Sequence, residues 1–186
     1  MLTLKYYLDE NPLNDAGVTP PEPDYTPPWR GYAHSLLCHT PGSNKERAEE
    51  IRTRLSEADS NAVWSVFVSD NDQSVSFFRA TGERVWHDDT CGKRMYVWRR
   101  DKSLFTKKKC SNVEQSRMKT LMRAAAADGG GANAVRDRLF RTLGHNVHYL
   151  MVVHRTGNWA LRYRHFASCL VNVASNGYQM YVYMNN

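Results

Sequence analysis

All seven prolines of this chain (Pro12, Pro20, Pro21, Pro23, Pro27, Pro28 and Pro41) fall within its first 41 residues, and none occurs afterwards. Proline fixes φ and lacks an amide donor, so it is kept out of helix interiors and central strands. The chain is thereby divided into a segment that resists regular structure and a long stretch in which nothing forbids it. The run TPPEPDYTPPW, residues 19–29, predicts an extended, largely polyproline-II arm, assigned to residues 1–42. Tyr25, Trp29 and Tyr32 are large apolar groups on a segment without its own core, which makes them candidate protein-docking residues. Their groove belongs either to the same chain or to a partner.

Residues 43–186 predict one α+β domain, with possible sub-units at 43–105 and 106–186. The expected fold class is antiparallel meanders, about eight short strands, packed by three helices. Ser43-Asn44-Lys45-Glu46 matches a capping box, and Ala48, Ile51, Leu55 and Ala58 then form one apolar stripe on a helix over about 44–58. Further helices are predicted over about 112–127 and 132–143. The runs WSVFVS, SVSFFRA, ERVWH and RMYVWRR are separated by turn residues and predict a consecutive meander. HYLMVVHR-TGN-WALRYRHFA and SCLVNVA-SNG-YQMYVYM predict two hairpins, the first pairing Val153 with Leu161 and Met151 with Tyr163. A helix-then-strands unit thus occurs twice in outline, although reading along the chain finds no residue-level repeat.

The net charge of +6 conceals a split. Residues 1–92 carry eight Lys or Arg against fifteen Asp or Glu, a net of −7, while residues 93–186 carry seventeen against four, a net of +13. A segment at +13 attracts a polyanion or an acidic surface, unless the acidic half of the same chain neutralises it first. Lys93, Arg94, Arg99, Arg100, Lys102, Lys107, Lys108 and Lys109 are interleaved with Tyr96, Trp98 and Phe105, a pattern suited to phosphate contacts and base stacking. With Arg136, Arg141, Arg155, Arg162 and Arg164 they make up the candidate RNA- or anion-binding set.

Other chemistry is sparse. His34/Cys38 and His87/Cys91 share an H-x3-C spacing and would supply a nitrogen and sulfur set for zinc if they met. Four cysteines are too few for a disulfide scaffold and predict a reducing, intracellular compartment, with Cys110 and Cys169 as structural residues. The first fifteen residues match neither a secretory signal nor an Arg-rich transit peptide, and no apolar run is long enough to insert in a membrane. Gly129-Gly130-Gly131 lacks the following Lys-Ser/Thr of a Walker loop, so no cofactor is expected.

Three stretches resemble known families. His154-Arg155-Thr156, closing the apolar strand YLMVVHRT, is similar to one H-x-T motif of the 2H phosphoesterases, which implies acid–base chemistry on a phosphodiester by His154 and Thr156. The second motif of that family is missing, since Ser35 follows His34 directly. Trp64, Phe77-Phe78, Thr81-Gly82-Glu83 and Trp86 resemble a WW domain, which implies a proline cleft at Trp86 and Phe77 or Phe78. LKYYLDEN with AHSLLCHTPGSNK is similar to the short subunit of H/ACA ribonucleoproteins, without that family's glycine-lysine-arginine and VYTL continuation. The expected function is a non-catalytic accessory or adaptor subunit of a larger assembly, such as a ribonucleoprotein, with a protein partner on the arm and RNA or an acidic partner on the basic half. The alternatives are a small phosphodiester-directed enzyme and a pathogen or phage protein that blocks a nucleic-acid machine.

Overall fold

The β-forming runs become strands close to where the sequence places them, but two of them take unexpected partners. The computed structural model describes residues 29–71, 75–79, 85–102, 110–143, 147–163 and 169–184. Its strands are β1 (Ala62–Asp70), β2 (Val75–Arg79), β3 (Val85–Thr90), β4 (Lys93–Asp101), β5 (Val147–His154), β6 (Trp159–Tyr163), β7 (Leu170–Ser175) and β8 (Tyr178–Met184). They build two four-stranded antiparallel sheets, ordered β3-β4-β1-β6 and β2-β5-β8-β7.

The hairpins β3–β4 and β7–β8 form as expected, but β2 does not fold back on β1. It crosses to the other sheet and pairs with β5, Phe77 opposite Met151, while β6 makes the reverse crossing and pairs with β1, Leu161 opposite Phe67. The consecutive meander and the β5–β6 hairpin are therefore replaced by an exchange, and Val153 faces Val75 rather than Leu161. The WW-like reading falls with the meander. β2 belongs to a different sheet from the two tryptophans, and Trp86 is buried against the helical side of its own sheet.

Four helices flank the sheets: α1 (Arg30–His39), α2 (Asn44–Ala58), α3 (Asn112–Ala127) and α4 (Gly131–Leu143). Ser43 and Ser111 start α2 and α3 with complete capping boxes through Glu46 and Glu114, satisfying otherwise orphaned amides. Ala48, Ile51 and Leu55 of α2 pack on Val66, Val68, Met95 and Val97 of the first sheet. Met122 of α3 and Val135 and Leu139 of α4 pack on Leu150, Val152, Met180 and Val182 of the second. Between the sheets lie Phe67, Val85, Tyr96, Trp98 and Leu161 from one side and Val75, Met151, Val153 and Tyr181 from the other. The result is an α/β/β/α sandwich with three apolar layers, which is why β1 is buried on both faces over most of its length.

The sheet orders expose a repeat that reading along the chain does not. Replacing β1–β4 by β5–β8 turns β3-β4-β1-β6 into β7-β8-β5-β2, the observed second sheet. Aligned by register, Met95-Tyr96-Val97 and Met180-Tyr181-Val182 are the same residues at equivalent places, 85 positions apart. Both methionines and both valines face helices, and both tyrosines face the inter-sheet layer. The preceding turns also agree: Cys91-Gly92 (φ 53° and 68°) and Asn176-Gly177 (φ 47° and 81°) each place two residues in the left-handed region, as a type I′ turn requires.

The expected arm ends earlier than residue 42, because Arg30–His39 is helical. Asp70, Lys93 and Asn44 meet at the crossover end: Asp70 accepts from Lys93 at 2.6 Å and from the Asn44 amide at 3.2 Å, and Asn44 also donates to the Asn158 carbonyl at 2.5 Å. Lys93, with help from Asn44, holds the Asp70 carboxyl below the usual aspartate range. Asn44 is 1% exposed and anchors the start of α2 to the second crossover. Asn44→Ala should cost about 1–3 kcal/mol, since it strands a carbonyl and half-frees a carboxylate, and urea unfolding will read this as a lower midpoint at unchanged slope. Chains 1–105 and 106–186, expressed apart, should each fail to unfold cooperatively and should regain a cooperative transition when mixed; independent folding of either would contradict the obligatory exchange.

Candidate anion-binding face

Lys93, Arg94, Arg99, Arg100 and Arg162 of the predicted basic set lie on β4 and β6, and the fold pairs four of them with acids of its own. Lys93 pairs with Asp70 at 2.6 Å, Arg94 with Asp89 at 3.0 Å, Arg99 with Asp59 at 2.8 Å and Arg162 with Glu49 at 3.4 Å. All four pairs join a cation from beyond residue 92 to an acid from before it. The Arg52 guanidinium, with a smaller contribution from Arg162, keeps Glu49 below its usual range. Arg100 lies over the Tyr183 ring at 4.9 Å, Lys102 donates to the Ser60 carbonyl, and Arg136 is 3% exposed beside Asp137. The aromatics interleaved with these cations are also withdrawn. Tyr96 and Trp98 sit in the inter-sheet layer, where burial pushes the Tyr96 hydroxyl well above the usual phenol range, so neither offers a face to a base. Lys107, Lys108, Lys109 and Arg164 lie outside the described residues.

Arg155 is exposed in the β5–β6 crossover, where its amide donates to the Gly177 carbonyl at 2.6 Å, and a larger group of cations lies on the outer helical layer of the second sheet. α3 carries Arg117, Lys119 and Arg123 against Glu114, and α4 carries Arg136, Arg138 and Arg141 against Asp137. Arg117, Arg123 and Arg141 are exposed and Lys119 is half-buried, and among the described residues none of these four has an ion-pair partner. Arg138 donates to the Ala125 carbonyl at 2.8 Å and to the Gly129 carbonyl, closing the C-terminal end of α3. Beside it, Leu121, Ala124, Ala125, Arg138, Arg141 and Thr142 line a groove of about 290 Å³ with an apolar floor and a basic rim. The opposite outer helix, α2, has four cations against four acids and pairs them along its own surface, Arg52 with Glu49 and Arg54 with Glu50 and Glu57. Sequence reading passed over Arg117, Lys119 and Arg123 because they are spread along a helix rather than clustered; helical spacing combined with a shortage of acids was the available signal.

The arm residues separate. Trp29 packs edge-on between Trp64 and Trp86, with ring centroids 5.0 and 5.4 Å away, so it docks on its own domain. Tyr32 is 45% exposed on α1, and Tyr25 lies outside the described residues.

The two H-x3-C pairs do meet, through their sulfurs. Cys38 at the end of α1 and Cys91 in the β3–β4 turn form a disulfide, with Cα atoms 5.5 Å apart, and in that state neither sulfur is a thiolate ligand. His34 instead hydrogen-bonds Asp88 at 2.6 Å, and His87 stacks on Tyr96 at 5.5 Å. Cys110 and Cys169 form a second disulfide. This pairing runs against the expectation of free thiols, and disulfides hint at an oxidising rather than a reducing setting without naming a compartment. No described helix is long and apolar enough to cross a membrane.

His154 Nδ1 and Thr156 Oγ1 are 2.5 Å apart, and the His154 ring meets Tyr178 edge-on at 5.3 Å. The internal repeat places Asp70, not a second histidine, at the position equivalent to His154. Gly129, Gly130 and Gly131 all have positive φ, and the Gly131 amide donates to the Tyr178 hydroxyl at 3.1 Å.

Comparison with known protein families, with curated proteins and with solved structures finds no match.

Denatured protein should show no thiol titrating with a chromogenic disulfide reagent until a reductant is added. Each bridge closes a loop of more than fifty residues (separations 53 and 59), for which chain entropy gives about 4 kcal/mol. A Cys38→Ser/Cys91→Ser double variant should therefore unfold at markedly lower urea; an unchanged midpoint would show that the bridge adds nothing.

Proposed function

We propose that this protein is a non-catalytic accessory or adaptor subunit whose α3–α4 layer binds the phosphate backbone of an RNA without reading its sequence. One observation carries this reading. Lys93, Arg94, Arg99 and Arg162 of the first sheet are paired with acids from before residue 92, whereas Arg117, Lys119, Arg123 and Arg141 have no acidic partner among the described residues. Guanidinium and ammonium groups spread along a helical surface suit phosphate contacts rather than base stacking. The segment before Trp29, with its prolines and Tyr25, supplies the contact to other protein subunits.

Binding of a poly(U) RNA should fall steeply with salt. If three or four phosphates are engaged, log K against log salt should have a slope of about −2 to −3 for a single strand. Arg117→Gln/Arg123→Gln/Arg141→Gln should weaken binding at least tenfold and flatten the slope to near −1. Arg99→Gln should leave affinity alone and lower stability, because its Asp59 partner is internal. Equal affinity of the triple variant and the parent, or no binding by the parent at low salt, would refute the assignment.

A further inference from the structure

The basic α3–α4 face has a candidate occupant within the same chain. Residues 1–28 hold Asp9, Glu10, Asp15, Glu22 and Asp24 against Lys5, a net charge of −4. The two helices of the face each carry three cations against one acid, and with Asp128 between them the layer totals +3. The other outer layer has no such complement, since α2 is balanced at four against four and internally paired. The groove also suits the segment by type: its floor is Leu121, Ala124 and Ala125 and its rim is Arg138 and Arg141, while LKYYLDE places apolar side chains directly beside two acids.

The reach is sufficient. Trp29 is held by Trp64 near the start of β1, the end of the sandwich away from the crossovers, and α4 runs towards that same end before β5 begins. Passing from one outer helical layer to the other means crossing two sheets and two helix–sheet gaps, about 30 Å at ~10 Å per layer. Ten residues in polyproline-II conformation at ~3.1 Å each span that distance, which is the length of Thr19–Pro28. Residues 1–18, with Asp9, Glu10 and Asp15, would then lie over α3 and α4.

We infer that residues 1–28 dock on the α3–α4 face of their own chain until a polyanion displaces them, and that only the displaced segment is free to contact other subunits. The inference rests on the assignment of that face as the anion-binding surface. Tethering makes the contact intramolecular and effective at modest intrinsic affinity, and salt weakens it.

The test is zero-length carbodiimide coupling of carboxylates to lysines in the full chain at low salt, with sites read by mass spectrometry. Lys119 should couple to acids of residues 1–28 in monomeric product, and added poly(U) RNA should abolish that coupling. Lys45, exposed on the opposite layer, is the internal control and should not couple to the segment. Coupling of the segment to Lys45 but not Lys119, Lys119 coupling confined to dimeric product, or coupling that persists when poly(U) is bound would each overturn the inference. If poly(U) binds and Lys119 never couples, the RNA-binding face stands and the docking falls. If poly(U) does not bind, the adaptor reading falls, and coupling of Lys119 in the absence of RNA still decides whether the segment docks.

Discussion

The reciprocal exchange of β2 and β6 is the constraint on which the architecture depends. Each half of the chain supplies three strands to its own sheet and one to the other, so neither sheet is complete without both halves. β1 and β5 are made interior strands by the exchange: each gains a hydrogen-bonded neighbour on what would otherwise be an open edge. The same crossovers hold the two sheets face to face and bury Phe67, Met151, Tyr96 and Tyr181 between them. Both disulfides lie within halves, Cys38 with Cys91 and Cys110 with Cys169, so the tie between halves is non-covalent: backbone pairing and apolar packing, with the Asn44–Asn158 hydrogen bond and the Arg162–Glu49 ion pair.

Electrostatics follow from that arrangement. Placing β6 beside β1 brings Arg162 of the second half to Glu49 of α2 in the first, and the β1–β4 pairing brings Lys93 to Asp70 within the first half, so cations from beyond residue 92 meet acids from before it. A chain divided into −7 and +13 thus becomes a sandwich whose first helical layer is balanced and whose second is basic. Local sequence density proved a poor guide to available charge. The densest described cluster, on β4, is the most fully engaged, and the sparser cations of α3 are the ones left exposed.

What was legible in the sequence was local. The capping box at Ser43, the apolar stripe over 112–127 and the turn residues around Gly92 and Gly177 placed α2, α3, β3–β4 and β7–β8 within three residues. Pairing partners were not legible for β2 and β6, because alternation tells a strand which face is apolar and not which sheet it joins. In this fold both candidate neighbours of β2 offer an apolar, β-branched edge. The repeat was hidden for a related reason. Its strongest trace is the shared Met-Tyr-Val of β4 and β8, and three residues carry weight only once register shows that they occupy equivalent positions. α1 was missed because its ten residues sit between prolines, and its stability comes from Ala33 and Leu37 packing on the first sheet rather than from propensity.

The disulfides complement the exchange. Strands at the centre of each sheet are held by partners on both sides, whereas β3 and β7 are edges at the far end from the exchanged strands. α1 and α3 are the helices that pack toward those edges, and each disulfide joins such a helix or the residues leading into it to the end of an edge strand: Cys38 of α1 to the turn after β3, and Cys110 before α3 to Cys169 before β7. The bridges occupy different positions in the two halves, so they are not part of the sequence repeat, yet they secure equivalent places. Hydrogen bonding and apolar burial therefore hold the middle of the sandwich, and covalent bonds hold the two edges that exchange leaves without a second strand.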